Sequence, residues 1–102
     1  LDVADAFARA TTMENAKNKV FNCTRGRGRK IIDAAELVKE SLGFGEIITK
    51  PHDPFYPNRD TLNSDKIKIE LGWQPNIDIE QGIDEYIKWL LAQDFLDHYI
   101  KK

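Results

Sequence analysis

Residues 51–63 hold the densest group of side chains able to grip a substrate: His52, Asp53, Tyr56, Arg59 and Asp60, on a frame stiffened by prolines at 51, 54 and 57. No helical or strand period fits this stretch. Irregular stretches longer than about 12 residues are uncommon in compact domains and tend to bind something. Arg59 carries the planar fork that takes a phosphate or carboxylate at two points, and it is the only arginine in the loop. The same residues also fit a surface loop crossing between lobes, with Arg59 in an ordinary ion pair. A second candidate is Arg25-Gly26-Arg27-Gly28-Arg29-Lys30, which packs four of the 15 basic residues into six positions. Glycines let backbone N–H groups approach an anion, and a helix start follows directly, so the run suits a phosphate. It also has the look of an Arg-Gly patch for RNA, although no aromatic residues are interleaved. The plainest reading is a solvated turn from strand to helix. Gly26-x-Gly28 is followed by no third glycine and fails the dinucleotide fingerprint.

Other chemistry is scarce. Two histidines and one cysteine argue against a metal centre, whether through His52 beside Asp53 or His98 four residues after Asp94. Cys23 reads as a small buried hydrophobe, and Trp73 and Trp89 read as core anchors. No serine or cysteine stands in a nucleophile setting, so no catalytic residue is assigned.

Four helices and two short strands must position these groups. Val3, Ala6, Phe7, Ala10 and Met13 keep the helical rhythm, with Asp2 as a cap. Residues 19–24 (Lys-Val-Phe-Asn-Cys-Thr) have strand composition. Ile31, Ala34, Ala35, Val38 and Leu42 form the stripe of a second helix that ends at Gly43 as a C-cap glycine should. Residues 46–50 read as a second strand. A short helix over 64–71 stops at Gly72. Asp78 and Gln81 have the spacing of a capping box for the last helix, whose apolar face is Ile79, Ile83, Tyr86, Ile87, Leu90 and Leu91. Two strands do not make a stable sheet alone. They are expected to extend a sheet in a part of the protein outside this chain, and the second and last helices carry broad apolar faces that so short a chain is not expected to cover. Opening in full helical register at Leu1 gives the same impression of a piece of something longer.

The 102 residues are expected to form one domain around one core, and they are 41% hydrophobic and 31% charged. That excludes collagen-like, disordered and disulfide-scaffold classes. The formal net charge of −2 gives no global pull toward nucleic acid or membrane, and no apolar run approaches a bilayer span. A cytoplasmic domain is the expectation.

The order of these pieces resembles the C-terminal lobe of the extended short-chain dehydrogenases, the NAD-dependent nucleotide-sugar epimerases and dehydratases. Val20-Phe21-Asn22 with Gly26-x-Gly28 resembles their Y-N-x-G-x-G strand and turn, and Ala35-Glu36-Leu37-Val38 their A-E-L-I helix. The densest match is Ser64-Asp65-Lys66, Leu71-Gly72-Trp73-Gln74-Pro75 and Ile79-Glu80-Gln81-Gly82-Ile83. It is similar to S-K-A-x-x-x-L-G-W-x-P followed by L-E-E-G-I/L. The matches cover nearly the whole chain in the right order.

The resemblance implies a mixed α/β, helix-dominated substrate-binding lobe spanning 1–102, with the NAD-binding Rossmann half absent. NAD would be bound by that N-terminal domain and not by this chain, which has no Tyr followed four residues on by Lys. The lobe would hold a nucleoside-diphosphate sugar, with the intact enzyme a homodimer. Family members place a diphosphate-binding arginine in the loop before the L-G-W helix. By resemblance that role falls to Arg59, with His52, Asp53 and Tyr56 lining the same pocket. Arg29, Lys30 and Asn63 depart from the family pattern and leave the sugar and the reaction open. The rival reading is a free-standing module that binds RNA or anionic partners through the 25–30 turn.

Overall fold

The computed structural model describes residues 1–94. Its elements are α1 (Asp2–Thr12), a 3-10 turn (Glu14–Ala16), α2 (Ile31–Leu42), α3 (Asp65–Leu71) and α4 (Ile79–Leu91). Where one core was expected, the contacts divide the described residues into two compact units, one of residues 1–28 and 53–77, the other of 29–52 and 78–94. His98 lies outside the described residues.

In the first unit, Ala6, Ala16, Ile67, Leu71 and Trp73 form the buried cluster, with Met13 and Phe21 packed against it. Polar side chains tie distant segments together around it. The Trp73 indole N–H donates to the Asp2 carbonyl at 2.8 Å. Asp2 does not cap α1, whose N-cap is Leu1. Its Oδ2 instead accepts the backbone N–H groups of Asn76 (2.9 Å) and Ile77 (2.8 Å). Arg9 Nη1 donates to the Leu71 carbonyl at 2.9 Å, one of the orphan acceptors at the end of α3. The α3 stop is the glycine the sequence indicates: Gly72 has φ +63°, a left-handed conformation that costs other residues about 1–2 kcal/mol.

In the second unit, α2 packs against α4. Ile87 is buried, while Ile31, Tyr86 and Trp89 stay exposed. Trp89 is therefore not a core anchor. It lies 55% exposed, its ring centroid 5.7 Å from that of Tyr86. The capping box does not form either. Asp78 is the N-cap but makes no side-chain cap bond, and Gln81 donates to Glu85 one turn on at 2.8 Å.

Neither expected strand is present among the described residues. Strand composition says only that a segment suits a pleated, half-buried surface, and a strand exists only where a ladder partner runs beside it. Around 19–24, polar groups are met by side chains instead: Lys66 Nζ donates to the Val20 carbonyl at 2.8 Å and sits 5.1 Å from the Phe21 ring centroid. In 46–50, Ile48 is 78% exposed and makes no ladder. The chain is helical with long irregular connections.

Ser41 on α2 donates to Asp84 Oδ1 at 3.2 Å, and Lys88 Nζ lies 2.6 Å from Asp84 Oδ2. The Lys88 bond lowers the Asp84 carboxyl below the usual carboxylate range, partial burial pushes it back, and the Ser41 hydroxyl lowers it again. A depressed carboxyl stabilises the fold above its unfolded pKa, and that contribution is lost as pH falls through the folded value. Carbon-detected NMR titration should place the Asp84 midpoint below the ordinary value of about 3.9, and Lys88→Ala should raise it. A wild-type midpoint at or above the ordinary value would remove this contribution.

Candidate functional site

The loop is irregular throughout, apart from a turn at 54–56, and every residue from 51 to 63 is exposed. In it the chain passes from the second unit to the first, between residues 52 and 53. His52 therefore belongs to one unit, and Asp53, Tyr56 and Arg59 to the other. Asp53 shapes the backbone: its Oδ1 accepts the Phe55 N–H at 2.9 Å and its carbonyl accepts the Tyr56 N–H at 3.0 Å. Tyr56 is 72% exposed, and Arg59 is exposed with no ion pair among the described residues. The stretch is an exposed, charged, proline-bearing segment.

The basic turn is not one patch of four solvated charges. Arg25 and Arg27 lie in the first unit, Arg29 and Lys30 in the second. Arg25 Nη1 donates to the Ile77 carbonyl at 3.4 Å. Arg29 pairs with Glu80, a hydrogen bond that raises the guanidinium pKa further. The turn is tightly fitted. Gly26 has φ +72°, and a Cβ on Gly28 would stand 2.6 Å from Thr61 Oγ1. With its own chain against it and no strand before it, this turn does not fit a dinucleotide.

Asn63, where the resemblance expects Asp, starts α3 well. Its Oδ1 accepts the Asp65 N–H at 2.7 Å and its Nδ2 donates to Asp65 Oδ2 at 3.1 Å. An aspartate could accept the first bond but would repel the second carboxylate. Beside this start lies a cleft of about 420 Å³, walled by Arg25, Arg27, Asp65, Lys68, Trp73 and Pro75. Sequence reasoning singled out its arginines but missed Lys68, which lies on α3 some forty positions further on. An apolar hollow of about 200 Å³ between α1 and Ile67 is lined by Phe7, Phe21 and Cys23. Cys23 is exposed, not the buried hydrophobe expected. Partial desolvation, then the Asp2 carboxylate, pushes its thiol pKa up. It is a poor nucleophile.

Among the described residues, no three His, Cys, Asp or Glu side chains converge on a metal position, and no helix is long and apolar enough to cross a membrane.

No protein-family model and no solved structure matches the chain. Curated proteins do. A protein of Oryza sativa subsp. japonica assigned as a GDP-L-fucose synthase is 36% identical over 69 residues, 67% of this chain and 21% of the relative. A protein of Methanocaldococcus jannaschii assigned as a UDP-glucose 4-epimerase is 31% identical over 90 residues, 87% of this chain and 28% of the relative. The dTDP-glucose 4,6-dehydratase of Escherichia coli is 38% identical over 58 residues, 56% of this chain and 16% of the relative. The matched region thus spans between 16 and 28% of these relatives' length. Over that part, the chain is related to enzymes named for nucleotide-sugar epimerisation, dehydration and synthesis.

Proposed function

We propose that this chain is the nucleotide-sugar-binding C-terminal lobe of an NAD-dependent epimerase/dehydratase. One observation carries the reading. The matched relatives are named for three nucleotides (GDP, UDP and dTDP) and three reactions. Their names share a nucleoside diphosphate joined to a sugar, so a segment common to them all suits the diphosphate better than base, sugar or reaction. Arg59 is the residue for that task, with His52, Asp53 and Tyr56 about it. NAD, held by an N-terminal Rossmann domain, supplies transient hydride acceptance. This lobe contributes by fixing the remote end of the substrate, and binding energy realised there orients the reacting carbon. The intact enzyme is a cytoplasmic homodimer on this reading.

Reading the gene upstream of the Leu1 codon tests it. The frame should continue for on the order of 200 codons, a domain's length. Within it should lie a strand, a glycine-rich turn and a helix, and a Tyr-x-x-x-Lys pair. The 102-residue chain alone should bind no NAD by calorimetry. A start codon at Leu1, or micromolar NAD binding by the isolated chain, would sink the assignment.

A further inference from the structure

The cleft beside α3 has no role in that proposed substrate grip, since Arg59 is not among its lining residues. We propose that it is a second binding site, for a low-molecular-weight diphosphate, formed by Arg27 and Lys68 with Arg25 held in place beside them. The inference stands on the geometry of the first unit alone and does not depend on the epimerase/dehydratase reading.

Room comes first. At about 420 Å³ the cleft lies within the size range of small-molecule sites, and a diphosphate fits that volume. Its walls are fixed. Trp73 is only 2% exposed and its indole N–H is tied to Asp2, so that wall is set before any ligand arrives. The Arg-Gly turn is held by its own geometry: the left-handed Gly26 donates its N–H to Thr24 Oγ1 at 3.2 Å. Arg25 is aimed by its bond to the Ile77 carbonyl. Preorganised groups spend less on ordering when a ligand binds.

Charge decides the ligand's sign. Among the described residues, neither the Arg27 guanidinium nor the Lys68 ammonium has an ion pair or a side-chain hydrogen bond. Asp65, the acidic residue in the lining, already accepts a hydrogen bond from Asn63. Arg27 and Lys68 against the single Asp65 leave the lining with a positive excess, and a dianion between the two cations forms charge-assisted hydrogen bonds with both. A guanidinium fork and an ammonium point charge are complementary tools for phosphoryl oxygens.

The test is a titration of the 102-residue chain with inorganic pyrophosphate at low ionic strength, followed by amide NMR shifts. Inorganic phosphate and UDP form parallel arms. Saturable shifts should centre on Gly26, Arg27, Lys68 and Gln74. Arg27→Ala and Lys68→Ala should each weaken binding by roughly tenfold, the effect of losing one charge-assisted contact. Both side chains are exposed and hold nothing else, so unchanged spectra of the free variants will show the fold intact. Lys39→Ala, in the other unit, should leave the titration unchanged. UDP binding like pyrophosphate identifies the diphosphate as the recognised group, and tighter UDP binding adds a nucleoside contact to the same site. Phosphate should bind more weakly than either. The proposal falls if no amide in the turn shifts, if both variants bind as wild type does, or if a single-stranded oligonucleotide outcompetes pyrophosphate at the same residues.

Discussion

Trp73→Ala should cost about 3–5 kcal/mol, the range for emptying a large aromatic site in a packed core. Trp73 and Leu71 are the two largest fully buried side chains, at 2% and 1% exposure. The substitution removes the wall between α1 and α3 and also takes the indole donor from the Asp2 carbonyl. Small domains are stable by only about 5–15 kcal/mol, so the loss takes a large share of the total. Each kcal/mol moves the melting temperature of a domain this size by about 4–8 °C, so a fall of at least about 12 °C is expected. Trp89→Ala is the internal control. Its ring is more than half exposed, and the change should cost well under half as much. Thermal unfolding read by the methyl signals of Leu71 separates the two. Equal costs, or a Trp73 variant melting within a few degrees of wild type, would show that the first unit is not organised around this indole.

The other large effect concerns Arg59. On the proposed function, Arg59→Ala in the full-length protein should weaken nucleotide-sugar binding by roughly 10- to 150-fold. That range corresponds to one lost charge-assisted, bidentate contact of about 1.5–3 kcal/mol. NAD affinity should not change. Arg59→Lys should recover only part of the loss, because a point charge does not reproduce the fork. Arg27→Ala, in a separate cleft, should leave nucleotide-sugar binding nearly as it was. A silent Arg59 with an essential Arg27 would transfer the substrate diphosphate to the cleft of the Arg-Gly turn.

Helices were the legible part of this fold, because a 3.6-residue stripe and a left-handed stop are both local. Gly43 and Gly72 end α2 and α3 where their positions indicate, with φ +79° and +63°. Legibility failed wherever a partner distant in sequence decides. The β-branched segments 19–24 and 46–50 lack a neighbouring ladder. Asp2 has a capping residue's chemistry but spends its carboxylate on the amides of residues 76 and 77. Gln81 has two local options, and the turn ahead of it wins. The two tryptophans are indistinguishable as residue types, and only packing separates them. For the candidate site, the loop was visible through its prolines and lack of period. The cleft was not, because Lys68 and Arg27 meet only after α3 folds against the turn.

The bonds from Asp2 to residues 73–77 set an order of events during synthesis. The first unit closes only when its opening helix meets a segment more than seventy positions downstream. Closing so long a loop is entropically slow, and the reward comes only when Leu71 and Trp73 seat together. Until the ribosome has released Trp73, α1 has nowhere to put Ala6. A nascent chain stalled before residue 73 would thus be a target for chaperones, and one stalled well beyond it would be protected. The late-arriving tryptophan acts as the latch of the first unit.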